Sequence, residues 1–164
     1  MAKRRVLTAE DLMHSLRTAP EWVAREEARE AEMLARAAEL AADEASLLAA
    51  LRDADVSASS VYDFVNAGGA PHSAVPALVE HLNRPHDARI HEGIIRALTV
   101  RHARELALIP LMKAFEVERD AILRWVIANA LSVLSSLDEI RELKGIEAYA
   151  ELFSGRLKGE RRPA

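Results

Sequence analysis

The sequence predicts an all-α protein in which pairs of helices stack as a short right-handed superhelix, an α-solenoid. Half of the 164 residues are hydrophobic but only 4% are aromatic, and abundant alanine suits closely approaching helices with small residues at their contacts. Residues 87–98 also align without a gap with residues 120–131, 33 positions further along. A period of roughly 20 to 50 residues is typical of a solenoid, because one helix pair cannot bury its apolar face alone.

A shorter amphipathic segment precedes each aligned stretch, at residues 75–82 and 109–115. Each copy therefore predicts two helices, the second of which is the better aligned. A degenerate first copy is expected near residues 56–66, since its apolar residues lie 33 positions before those of the next copy; these are Val61, Phe64 and Val65.

The N-terminal third predicts one short and two longer helices. Residues 1–17 form an arm with a short helix that carries Leu12, Met13 and Leu16. Thr18 and Pro20 are a cap and a first-turn proline, so a long helix should begin there and continue to residue 42. Asp43 is a suitable N-cap for a separate helix over residues 44–53.

The C-terminal part predicts two short helices, over residues 137–143 and 146–153, that cap the open end of the stack. Residues 155–164 contain Gly, Pro and several basic residues and are expected to form a disordered basic tail. The predicted organisation is thus an N-terminal arm over residues 1–17, a single domain over residues 18–154 and the tail.

Charge and composition limit the possible functions. The net charge is −4, and the acidic excess lies in residues 1–55, with 12 acidic and 8 basic side chains. This balance argues against sequence-independent nucleic-acid binding, which needs clustered Lys and Arg. Cysteine is absent, which excludes disulfides and thiolate chemistry. The sequence shows no apolar run of signal-peptide or membrane-spanning length, so a cytoplasmic protein without membrane association is expected.

The paired second helices share the pattern Asp-x-x-apolar-Arg followed by apolar-x-x-Ala-Leu, which resembles the second helix of a HEAT repeat. The residues that carry it are Asp120, Leu123, Arg124, Ala130 and Leu131, and in the earlier copy Asp87, Ile90, Ala97 and Leu98. Pro76 and Pro110, in the first helices, also look like that family. The resemblance covers roughly residues 44–135.

The resemblance implies a structural ladder between repeats and a binding face. Asp87, Asp120 and Arg124 would form the polar ladder, and His91 departs from the pattern by standing where Arg is expected. HEAT proteins are mainly scaffolds that bind macromolecules along the concave face lined by their second helices. We therefore expect a non-catalytic module that binds an as yet unidentified protein.

Helical spacing selects candidate residues for that face. If Ile90, Ile94 and Leu98 face the core, a separate stripe of the same helix remains for a partner. The candidate partner-binding residues from the three copies are Asp63 and Asn66, then Arg89, Glu92 and Arg96, then Trp125 and Asn129, with Val56, Ser59, Thr99, Ile122 and Ser132 on the same stripes. The alternative is that Trp125 packs under the C-terminal helices and that Arg96 only pairs with Glu92.

Two other functions remain open. A DNA-binding or DNA-repair HEAT-like protein would need a positive groove, which could be formed by Arg89, Arg96, Arg101, Arg104 and Arg124. A neutraliser of a toxin or similar effector could use the acidic N-terminal helix to mimic a substrate.

Little in the sequence indicates catalysis, and no cofactor is expected. His81, His86 and His91 lie near one turn but lack the spacing and carboxylates of a metal site. Gly68 and Gly69 indicate a turn rather than a phosphate loop. Two enzymatic HEAT-like classes, alkylpurine DNA glycosylases and the lyases that attach bilins to phycobiliproteins, remain distant comparisons, with Trp125, Glu92 and Asp63 as the only glycosylase-like ingredients.

Overall fold

The computed structural model describes residues 8–136 and 138–139, and within them all regular structure is helical, with no strand. The all-α prediction is therefore confirmed. The chain divides into two compact units, Met1–Ala42 and Asp43–Ala164. This division does not coincide with the predicted boundary after residue 17. The predicted helices 137–143 and 146–153 and the predicted tail lie almost entirely outside the described residues.

The first unit contains helix α1, Ala9–Thr18, and most of helix α2, Pro20–Asp53. The start of α1 is a reciprocal cap: the backbone N–H of Asp11 donates to the Thr8 hydroxyl at 3.1 Å, and the N–H of Thr8 donates to the Asp11 carboxylate at 3.2 Å. In this unit α2 exposes most of its side chains, including Met33 and Leu34.

Helix α2 begins at Pro20, as the sequence predicts, but it does not end at residue 42. The prediction of a second helix capped by Asp43 is wrong, because α2 continues unbroken for 34 residues to Asp53. No Gly or Pro follows Pro20 within the helix, and alanine, the best helix former, is frequent there. Asp43 lies inside the helix, so its carboxylate is available to groups from other elements.

Within the described residues, the second unit adds five helices to the last turns of α2. They are α3, Tyr62–Asn66; α4, Val75–Leu82; α5, Ala88–Ala97; α6, Arg104–Val117; and α7, Ala121–Leu134, with 3-10 turns at His72–Ala74 and Arg101–Ala103. Helix α4 contacts α6, while α3 contacts α5 and α5 contacts α7. Within the copies α4 contacts α5 and α6 contacts α7. First helices thus pack on first helices and second helices on second helices.

The core of this unit lies between the paired helices. On α5 the predicted core residues are all buried, namely Ile90, Gly93, Ile94, Ala97 and Leu98. Ile127 of α7 is 1% exposed. Gly93 permits close contact between α3 and α5, since a Cβ built on it would lie 2.5 Å from Cγ1 of Val61.

The degenerate first copy is shorter than predicted. Helix α3 has five residues, and Val56 and Ser59 precede it instead of lying on it. Val56 is buried, so its place on a partner-binding stripe was wrong. The reason is local competition for hydrogen bonds: the Asp63 carboxylate accepts from the backbone N–H of Ser59 at 2.7 Å and of Ser60 at 3.2 Å, which stabilises a turn there.

The two regular copies begin their second helices in the same way. The Asp87 carboxylate accepts from the backbone N–H of Arg89 at 2.9 Å. The Asp120 carboxylate accepts from the N–H groups of Ile122 and Leu123 at 2.8 and 2.9 Å. Both aspartates are therefore N-caps, which explains why they align in the repeat.

Candidate protein-binding surface

Helix α5 presents the polar residues that the sequence places on the binding face. Nε of Arg96 donates to Oε1 of Glu92 at 2.7 Å, and the two side chains keep 38% and 25% of their area exposed. Arg96 is therefore paired with Glu92, as the alternative predicted. The pair is still accessible, because both residues lie on the side of α5 opposite Ile90 and Ile94.

Arg89, one turn earlier on α5, packs against Tyr62 of α3. Its guanidinium carbon lies 5.3 Å from the centre of the tyrosine ring. The Tyr62 hydroxyl donates to the backbone carbonyl of Arg89 at 3.0 Å. Burial, with a smaller contribution from the nearby Glu92 carboxylate, raises the pKa of Tyr62. Tyr62 therefore links the first copy to the second and supports the base of this face.

Sequence reasoning missed Tyr62, although a signal was present. Tyr62 aligns with Ile95 and Ala128 at the 33-residue period, and both of those side chains are buried. An aromatic residue at an aligned, buried position predicts a packing role between neighbouring copies. The Tyr62 ring is partly buried, because Arg89 lies over it and Gly93, which has no side chain, lets it pack closely against α5.

Helix α7 contributes an exposed apolar pair. Trp125 is 57% exposed and Ile122 is 66% exposed, and Asn129 lies further along the helix and is also exposed. Seven residues of the same helix are buried. The predicted C-terminal helices lie outside the described residues, so the alternative in which Trp125 packs under them stays a prediction.

The first copy contributes less than expected. Asp63 and Asn66 are both exposed, but the Asp63 carboxylate is engaged within its own turn. The hydrogen bonds from the backbone N–H and hydroxyl of Ser59 lower the pKa of Asp63. We therefore assign Asp63 mainly to the local turn that precedes α3.

Arg124, which the resemblance implies in a ladder, makes contacts within its own copy. One guanidinium nitrogen donates to the carbonyls of Phe115 and Glu118 at 2.8 and 3.0 Å. The guanidinium carbon also lies 4.1 Å from the centre of the Phe115 ring. Arg124 thus satisfies carbonyls at the end of α6, and a ladder between copies stays a prediction.

The remaining arginines of the possible positive groove differ in environment. Arg104 donates to the carbonyl of Leu134 and pairs with Glu139 at 2.5 Å. The hydrogen bond from Arg104 is the main reason that the pKa of Glu139 falls to about 2. Arg101 is exposed. Because Arg96 and Arg104 are each paired with a glutamate, the positive charge available to phosphates is smaller than the sequence indicates.

The histidines form a pair instead of a triad. Nδ1 of His81 lies 3.0 Å from Nε2 of His86, whereas the pKa of His91 is lowered mainly by burial, with a smaller contribution from the neighbouring His86. In the described residues, no group of three or more His, Asp or Glu side chains is arranged to hold a metal ion. Nor does any helix among those residues have the length and apolar character needed to cross a membrane.

Comparison of the chain with protein-family models, with curated proteins and with solved structures finds no match.

Proposed function

We propose that the chain is a small HEAT-like α-solenoid, wound as a right-handed superhelix, that binds another protein without catalysing a reaction. The order of helix contacts supports the architecture, because α4 packs on α6 and α3, α5 and α7 pack in sequence. The matching N-caps Asp87 and Asp120 support it further, since they start the second helices of both regular copies in the same register.

One observation carries the functional proposal: α7 leaves a tryptophan and an isoleucine in solvent while it buries most of its other apolar residues. Trp125 and Ile122 are separated by three positions, so they lie on one face of the helix. Large apolar side chains exposed together indicate an interaction site, and tryptophan is among the residues that contribute most to binding energy at protein interfaces.

Helix α5, which contacts α7, supplies the polar part of the same surface. Arg96 is held by Glu92, and Arg89 is held by Tyr62, so both guanidinium groups are positioned before a partner arrives. Ordering a long side chain in advance reduces the entropy that is lost on binding. An apolar centre on α7 beside ordered arginines on α5 is a common composition for a protein interface.

The DNA-binding alternative has weaker support. Arg96 and Arg104 are neutralised by glutamates, and Arg124 is directed to backbone carbonyls of α6. DNA binding would need several arginines free to neutralise phosphates.

The proposal is tested by affinity capture from a lysate of the source organism with three forms of the chain. These are the native chain, the double variant Trp125→Ala/Arg96→Ala, and Ile109→Ala. Ile109 is a matched control because it is also 57% exposed but lies on α6. We expect a protein that the native chain and Ile109→Ala retain and that the double variant loses. Nucleic acid in the native eluate, or equal retention by all three forms, would contradict the proposal.

A further inference from the structure

Four side chains of the second unit form a continuous hydrogen-bonded chain from α2 to the turn between α4 and α5. A guanidinium nitrogen of Arg84 lies 3.3 Å from Nε2 of His81, and Nδ1 of His81 lies 3.0 Å from Nε2 of His86. Nδ1 of His86 lies 3.3 Å from both carboxylate oxygens of Asp43. His81 is 1% exposed, and the side chain of His86 is 3% exposed.

The residues at the two ends of this hydrogen-bonded series, Arg84 and Asp43, determine where the protons of the two histidines lie. A guanidinium group can only donate, so Nε2 of His81 must accept from Arg84. Nδ1 of His81 therefore carries the proton and donates to Nε2 of His86. The second nitrogen of His86 then carries its proton and donates to the Asp43 carboxylate, which can only accept. With neutral imidazoles, this arrangement has both rings protonated at Nδ1, and every link has one donor and one acceptor.

One additional proton cannot be accommodated without breaking a link. If His81 takes up the additional proton, the Nε2–H of His81 faces an N–H of Arg84, so that two donors meet without an acceptor. If His86 takes it, its Nε2–H must donate to Nδ1 of His81, which moves the proton of His81 to Nε2 and again places it against Arg84. The Arg84 link is the one that can open most easily, because the Arg84 side chain is 47% exposed and is also paired with Glu80.

We propose that Asp43, His86, His81 and Arg84 form a pH-sensitive latch, in which uptake of one proton detaches Arg84 from His81 and loosens the turn between α4 and α5. The Asp43 carboxylate also accepts from the backbone N–H of Asp87 at 2.8 Å, so the latch fixes the residue that caps α5. Helix α5 carries Arg89 and Arg96 of the candidate binding surface. The latch itself does not depend on the proposed function.

Burial and the surrounding charges together favour the neutral form of His81. Burial lowers its pKa most, followed by the positive charge of Arg84 and the neighbouring His86, and Glu80 opposes them only in part. Asp43 faces the two histidines from α2, and Asp87 and His91 face them from the start of α5. Because the pKa of His81 is lowered in the folded protein, the unfolded chain takes up the proton first. Folding stability should then fall as the pH decreases below about 6.5, the ordinary histidine value.

His91 contributes in the same direction, since burial lowers its pKa too, while Glu118 partly opposes this. The pH dependence of the native chain alone therefore does not isolate the latch. The latch is isolated by a variant that removes only the clash between the N–H of Arg84 and a protonated Nε2 of His81. Arg84→Gln does so, because the glutamine amide can turn its carbonyl oxygen toward a protonated Nε2 of His81.

The first test is nitrogen-15 NMR of the histidine rings in the full native chain at pH 8, which reports the protonated nitrogen directly. We expect His81 and His86 both to be protonated at Nδ1, the less common form of a free imidazole. A proton on Nε2 of His81 at this pH would overturn the proposal, since that nitrogen could not then accept from Arg84.

The second test compares the fall in Tm between pH 7.5 and pH 5 in the native chain, Arg84→Gln and Arg96→Gln. The control, Arg96→Gln, also breaks a pair between a glutamate and an arginine four residues later, but that pair lies on α5. We expect the fall for Arg84→Gln to be smaller than that of the native chain, and the fall for Arg96→Gln to be unchanged. Equal falls in all three chains would overturn the latch.

Discussion

The buried carboxylate of Glu44 on α2 accepts a hydrogen bond from the backbone N–H of Val61 at 2.5 Å, across 17 positions of sequence. The same oxygen accepts from the Ser60 hydroxyl at 3.1 Å. Val61 is the N-cap residue of α3, and its own side chain offers no acceptor. Glu44 therefore supplies from another helix the acceptor that a short helix needs at its start.

Replacing Glu44 by Ala should lower the free energy of unfolding by about 1–3 kcal/mol, because the Val61 N–H is left buried without an acceptor. Glu44→Gln keeps a carbonyl oxygen at the same reach and should recover most of the loss. Urea denaturation of the three chains measures both effects. Equal destabilisation by Ala and Gln would show that the contact to Val61 is not the cause.

Gly93→Ala tests the close contact between α3 and α5. Helix propensity alone predicts stabilisation of up to about 1 kcal/mol. The new Cβ would lie 2.5 Å from a methyl group of buried Val61 and 3.2 Å from the Tyr62 ring, so we expect net destabilisation of about 1–3 kcal/mol. The sign of the change in unfolding free energy, measured by urea denaturation, decides between the two effects.

Ile94→Ala and Ile127→Ala test whether the aligned positions of the two copies share one core. Both side chains are fully buried, and each truncation should cost roughly 2–5 kcal/mol of unfolding free energy. Thermal denaturation of each variant gives the result. As a surface control, Ile122→Ala removes an exposed side chain and should leave Tm nearly unchanged; an equal loss there would contradict the assignment of faces on α7.

Glu139→Gln tests the pair between Arg104 and Glu139. The pKa of Glu139 lies at about 2, below its ordinary value of 4.5. The pair therefore stabilises the fold above pH 4.5, and this contribution is lost as the pH falls through about 2. We expect the variant to melt at a lower temperature than the native chain at pH 7, with the difference disappearing near pH 2. A constant difference over this range would contradict the pairing.

The repeat made the paired helices and their core predictable. Ile90, Ile94 and Leu98 follow helical spacing and recur at a fixed period, so their burial could be derived from the sequence. The exposure of Trp125 could be proposed but not decided, because spacing assigns a side chain to a face without showing what covers that face.

The remaining features depend on contacts between residues far apart in sequence. Asp43 has the properties of an N-cap, but alanine-rich sequence on both sides lets α2 continue, and its carboxylate binds His86 and Asp87 instead. The N-terminus of α3 depends on Glu44 in the same way. Local patterns predict caps from neighbouring residues, so they miss acceptors that arrive from another helix.

The most direct test of the proposed binding surface is oxidative footprinting of the two tryptophans with and without the captured partner. Trp22 lies in the first unit and serves as an internal reference, while Trp125 is 57% exposed on α7. The account predicts that bound partner protects Trp125 from oxidation and leaves the rate at Trp22 unchanged. Oxidation of Trp125 at the same rate in the free and bound chain would contradict it.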